Sequence, residues 1–191
     1  MLCQLSTVKS RLALTVTTYD DILTNAIKGV AARFDKETNR TLAYCDGFIH
    51  EFPADQSEIR PACYPIKAIY TFYVKTNEAE GWLERTEIEY LFRQHCVICL
   101  AQPLGTSREQ ARPILIGGYV LPGDVAGPGQ TALPDDLQQA AVEQVAYWFR
   151  NRDKSGLVRS WPHDGTYEVF PQLDVLLEVR AVLRKYEKLL L

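Results

Sequence analysis

The residues best able to do chemistry are thiols and imidazoles: Cys3, Cys45, Cys63, Cys96 and Cys99, with His50, His95 and His163. His95-Cys96-Val97-Ile98-Cys99 has the C-x-x-C spacing that can place two thiolates on one tetrahedral zinc ion. Such a site needs a second pair, and Cys45 and Cys63 stand alone. Val97-Ile98 also makes the segment read as a strand, whose alternate side chains point to opposite faces. Cys96 and Cys99 are therefore expected to be buried small hydrophobes, with no metal bound. A thiolate nucleophile wants a histidine base and an orienting group. No signature surrounds any of the three histidines, and His163 falls in a Trp-Pro-His-Asp-Gly turn of surface type. A small cytosolic enzyme using Cys96 or Cys99 with a histidine stays open as an alternative reading, as does a generic α+β binding module.

Carboxylates crowd one stretch, Glu78, Glu80, Glu84, Glu87 and Glu89, relieved only by Arg85. Paired carboxylates can run general acid–base chemistry, but alternating ones near a polar turn read as a solvated face. No G-x-x-x-x-G-K-[ST] occurs, and Gly117, Gly118 and Gly123 do not make G-x-G-x-x-G ahead of a helix. No nucleotide or other cofactor is expected. Arg150, Arg152, Lys154 and Arg159 gather after a helix, where cations suit the negative end of the helix dipole.

The chain has 191 residues, 47% of them hydrophobic and 24% charged, enough to bury a real core without disulfide staples. Its formal net charge of −3 argues against a body built to grip the phosphate backbone. The odd cysteine count suits free thiols in a reducing compartment. The opening MLCQLSTVKSRLAL lacks the apolar stretch of a signal peptide, and no later run is long enough to span a bilayer, so neither secretion nor membrane insertion is expected.

The elements that must carry these residues follow from periodicity. Leu5, Val8 and Leu12 predict a short amphipathic helix over Ser6 to Leu14. A longer helix starts at Thr18 and ends near Asn39, with Asp20 and Asp21 in its first turn and Ile22, Leu23, Ala26, Ile27, Val30 and Phe34 inward. Residues 66–75, 86–92, 96–100 and 112–119 read as strands, and 122–130 as an irregular linker. A third helix opens at Leu133-Pro134-Asp135-Asp136 with Leu137, Ala140, Ala141, Val145 and Trp148 on its apolar face. Ile22, Ala26, Ile27, Val30 and Phe34 are expected to pack against Leu137, Ala141, Val145 and Trp148 of that face. A terminal helix, Leu173 to Leu191, carries more apolar residues than one stripe needs, Val175, Val179 and Val182 widening it. The expected fold class is α+β, mainly a helical bundle with an inserted small antiparallel sheet or hairpin region.

In order and local wording these segments resemble the head–tail connector family of tailed double-stranded DNA bacteriophages. The resemblance lies in STVKSRLALTVTTYDDILTNAIKGVAARFDKETNR (6–40), IGGYVLPGD (116–124) and LPDDLQQAAVEQVAYWFRNRD (133–153), while the middle is only weakly matched. It implies one connector domain over 1–191, with N-terminal helices 1–40, a β insertion 41–132 and C-terminal helices 133–191. It implies a structural virion protein, not an enzyme, assembled as a ring of about twelve copies between portal and tail or stopper protein, with genomic DNA passing the lumen unbound. Virion neck, after assembly in the host cytoplasm, is the implied location. On that reading Leu173, Leu176, Leu177, Arg180, Leu183, Arg184, Tyr186 and Leu190 are expected to meet the portal or a neighbouring subunit. Glu78, Glu80, Glu84, Glu87 and Glu89 are expected to face the lumen or a neighbouring ring.

Overall fold

A computed structural model describes residues 1–154, 159–160, 168–169 and 174–188. The chain forms two compact units, one of Met1–Thr38 with Leu133–Glu187 and the other of Asn39–Ala132 with Lys188–Leu191.

In the first unit, α1 (Leu5–Leu12) ends where Ala13 turns left-handed. α2 (Asp20–Thr38) buries Leu23, Ile27, Val30, Phe34 and Thr38, a spacing of three and four that lays one stripe along the helix. Ile22 lies one residue off that stripe and is 48% exposed, so it is not the core residue its sequence position suggested. α3 (Asp135–Arg150) buries Leu137, Ala140, Ala141 and Val145 as its pattern requires, whereas Trp148 is only half-buried. α2 packs on α3, and α1 on both. Arg11 grips Glu143 with Nε at 2.7 Å from Oε1 and Nη2 at 2.9 Å from Oε2.

The terminal helix is far shorter than its composition suggested. α4 spans Leu177–Leu183 and runs into a 3-10 turn, Arg184–Tyr186. Leu173 and Leu190 lie outside the described residues. Val175, Val179 and Leu183 are buried against α2 and α3, so one face closes this unit's core.

The second unit is a sheet body. β1 (Cys45–Ile49), β2 (Phe52–Pro53), β4 (Ile66–Lys75), β5 (Leu83–Arg85) and β8 (Gln110–Gly117) form a five-stranded antiparallel sheet, ordered β1-β8-β4-β5 with β2 also on β8. β3 (Glu58–Ile59), β6 (Tyr90–Arg93) and β7 (Val97–Leu100) form a three-stranded one ordered β3-β7-β6. Pro113 cannot donate to a ladder. It sits in β8 opposite Phe72 of β4, and on the other edge between the register of β1, which ends at Ile114, and that of β2, which begins at Ala111. Phe52, Ile59, Phe72, Ile98 and Leu115 anchor the core.

β9 (Tyr119–Val120) pairs parallel with β10 (Thr131–Ala132), closing the irregular loop 121–130. Gly118 just before has φ +86°, and a Cβ there would stand 2.3 Å from the Ala43 carbonyl oxygen, so only glycine fits. Arg159–Ser160 and Glu168–Val169 form a further antiparallel pair.

Three antiparallel sheets and four α-helices among the described residues make the fold α+β, not mainly a helical bundle. The expectation failed because β1, β2 and β3 are short and bounded by Pro, Gly and Cys, leaving no run long enough to show period-two alternation.

Candidate functional site

The thiols do not assemble a reactive centre. Cys96 lies in the β6–β7 turn, its Sγ donating to the Arg93 carbonyl at 3.5 Å, and Cys99 lies on β7. Both are half-buried, so neither is the buried hydrophobe expected, because a three-stranded sheet covers only one face of so short a hairpin. The His95 ring places Nδ1 3.2 Å from the Ile66 carbonyl, and the His95 carbonyl accepts the Ile66 N–H, so the turn ties β7's hairpin to β4. His50 is held below its ordinary pKa by burial and then by the charge of Lys188. His163 lies outside the described residues. Burial pushes the Cys3 thiol up to about 11, away from thiolate chemistry. Among the described residues no three His, Cys, Asp or Glu side chains converge as metal ligands would.

All five glutamates of the acidic stretch are exposed. Glu78 pairs with Lys75 at 2.6 Å in the β4–β5 turn, and Glu80 donates its N–H to Asn77 Oδ1. Glu84 stands on β5 and accepts the Thr71 hydroxyl at 2.7 Å. Glu87 and Glu89 fall between β5 and β6, in a segment expected to be strand that instead turns with Glu87 at φ 60°. This turn has a physical consequence: it opens a groove between β4, β5 and Tyr90, floored by Phe72 and Ile88 and walled by Tyr70. Tyr90 meets Phe72 edge-on at 5.7 Å between ring centres and Phe92 at 5.4 Å. Tyr70 donates its hydroxyl to Asp46, which raises the phenol's pKa. Glu84 and Glu87 rim the groove with Arg85 between them, giving a concave surface that is aromatic inside and carries two carboxylates to one guanidinium at its edge. Sequence reading found the glutamates and missed the aromatics. The dense Tyr-Thr-Phe-Tyr of β4 and Tyr-Leu-Phe of β6 were the available signal, but strand pairing rather than spacing brings them together.

The terminal segment offers a second surface. Gln144, fully buried on α3, donates Nε2 to the Asp174 carbonyl at 3.1 Å and accepts the Leu176 N–H on Oε1 at 2.9 Å. Asp174 takes Arg33 and Arg180, each at 3.0 Å. Arg180, expected at an interface, is thus committed within its own unit, and Leu183 is buried. Tyr186 donates to Asp136 at 2.6 Å, and Lys185 sits 3.7 Å from the same carboxylate. Leu176 is half-buried, while Leu177 is 79% exposed and Arg184 is exposed.

Most of the chain superposes on solved chains of gene transfer agent particles. One lies in the neck of the empty gene transfer agent particle computed with C6 symmetry, with TM-score 0.61, 14% identity, and coverage of 98% of this chain and 90% of that one. The fold is that of a gene transfer agent neck chain. A chain of the native gene transfer agent virion matches at TM-score 0.62 with 14% identity over the same shares. A chain of the native neck computed with C12 symmetry matches at 0.54 with 12% identity, covering 89% of this chain and 84% of that one. No family model and no curated protein matches the sequence. The neck-type fold therefore includes both units and the sheet body, not the helices alone.

Proposed function

We propose that this chain is a structural component of a virion neck, a head–tail connector that closes into a homo-oligomeric ring joining head to tail. The observation carrying this reading is the near-complete coverage of both chains in the match to particle necks, one computed with sixfold and another with twelvefold symmetry. On this reading the ring has about twelve copies, rests against the portal on one side and a tail or stopper protein on the other, and passes DNA through its lumen. Net charge −3 fits that task, since each neutralised phosphate would add to an affinity that hinders sliding. The chain acts by assembly, without catalysis. The site splits into the terminal segment Leu176–Tyr186 as a partner-binding element and the glutamates of 78–89 as a surface for the lumen or a neighbouring ring.

Native mass spectrometry of the purified chain, from micromolar to millimolar, tests the reading. A closed ring of defined copy number is expected. A chain that stays monomeric throughout overturns the self-assembling connector.

A further inference from the structure

Two surfaces have unmet chemistry of opposite kinds. The outer face of α4 and its 3-10 turn presents Leu177, Ala181 and Arg184 at helical spacing, all exposed. Its inner face, Val175, Val179 and Leu183, is consumed by the unit's own core. Arg180 already pairs with Asp174, and Lys185 approaches Asp136, but Arg184 makes no hydrogen bond or ion pair among the described residues. This leaves an apolar knob followed, two turns on and about 10 Å along the axis, by a free guanidinium.

The groove of the sheet unit has the complementary makeup. Tyr70 is 59% exposed and Tyr90 39%, and together they offer ring faces with Phe72 behind. Arg85 lines the same groove, but among the described residues it forms no ion pair with either rim carboxylate: Glu84 accepts the Thr71 hydroxyl and Glu87 has no ion pair. Aromatic faces beside carboxylates recognise a guanidinium twice, through the ring quadrupole and through charge-assisted hydrogen bonds. With two carboxylates to one guanidinium, the rim favours a cation over phosphate. A cyclic ring of identical copies needs two different, mutually complementary patches on each copy. These two patches lie on separate units of one chain, one with a guanidinium unpaired among the described residues and the other with carboxylates in excess of its single guanidinium, Arg85.

We propose that in the ring the outer face of α4 from one copy docks in the Tyr70–Tyr90 groove of the next copy, with Arg184 between Glu84 and Glu87 and Leu177 against the tyrosine rings. The inference rests on the ring reading above and names the contact that closes it, moving Glu84 and Glu87 from the surface for the lumen or a neighbouring ring into the seam between copies.

Charge reversal tests it. Arg184→Glu, Leu177→Asp and Glu84→Lys/Glu87→Lys are all at exposed positions, and a circular dichroism melt matching wild type verifies that each folds. Native mass spectrometry should show each variant needing at least about tenfold more protein to form the ring. The chain carrying Arg184→Glu with Glu84→Lys/Glu87→Lys should recover most of that loss. A ring that persists at wild-type concentration in the single-surface variants overturns this contact while the ring reading stands, leaving the groove to a basic segment of another protein. Reversals that weaken the ring without rescue in the swapped chain also overturn it, since the groups then act separately. A wild-type chain monomeric at every concentration removes the ring reading and the contact with it.

Discussion

The side-chain oxygen of Gln144 accepts the Leu176 backbone N–H at 2.9 Å while its amide nitrogen donates to Asp174, so one fully buried residue of α3 holds both sides of the approach to α4. Gln144→Leu keeps the volume and removes both bonds, stranding a backbone donor and an acceptor. The expected loss is about 1–3 kcal/mol in urea unfolding. A variant as stable as wild type would show that water reaches those groups freely.

Arg40, 4% exposed, lays its guanidinium 3.4 Å from the centre of the Tyr64 ring and donates to the Tyr64 carbonyl. Tyr119 lies 5.3 Å away on the same cation. Arg40→Lys retains charge but loses planar stacking and the fork of donors, and should cost about 2 kcal/mol in the same measurement. Equal stability would mean that charge alone is what the site requires.

Phe34 and Ile22 share α2 and should behave oppositely. Phe34 has no exposed surface, and Phe34→Ala should cost about 3–5 kcal/mol. Ile22 is 48% exposed, and Ile22→Ser should stay within about 0.5 kcal/mol of wild type. Thermal melts of the two variants read the contrast directly.

Acid should loosen the helical unit through two carboxylates. The Val175 N–H first, then the Arg180 guanidinium, hold Asp174 below its ordinary pKa, and the Arg11 guanidinium does the same for Glu143. A carboxylate whose pKa is lower folded than unfolded stabilises above its unfolded value and loses that contribution as pH falls through the folded one. The melting temperature should therefore fall as pH drops through the ordinary carboxylate range, beyond any loss that half-buried His50 contributes nearer neutrality. Asp174→Asn should fall less steeply, and by a small margin because the network is solvent-screened. An unchanged acid slope in that variant would place the sensitivity elsewhere.

How much of this was legible depended on periodicity. α2 and α3 were readable because Leu23, Ile27, Val30 and Phe34, then Leu137, Ala141 and Val145, repeat over several turns. β4 was readable to its ends because seven of the ten residues from Ile66 to Lys75 are β-branched or aromatic. β1 to β3 were hidden, since a strand of two to five residues is defined by its partner across the ladder and not by its own composition. α4 misled in the other direction: leucines at Leu176 and Leu177 looked like one continuous stripe, yet Val175, Val179 and Leu183 make the buried contact. The acid cluster was visible from composition alone, but its aromatic floor was not, because Phe72 and Tyr90 meet only through the fold.

The loop 121–130 leaves and returns through two adjacent backbone pairings, Tyr119 with Thr131 and Val120 with Ala132. Its ends are fixed independently of what lies between them, and Val125 within it is 93% exposed. Lengthening such a loop costs only closure entropy, about 0.6 kcal/mol for each doubling. An epitope or fluorophore-binding peptide spliced in at Val125 would thus be carried by a clasp that does not feel it, giving a way to label or immobilise the protein without altering either chain terminus.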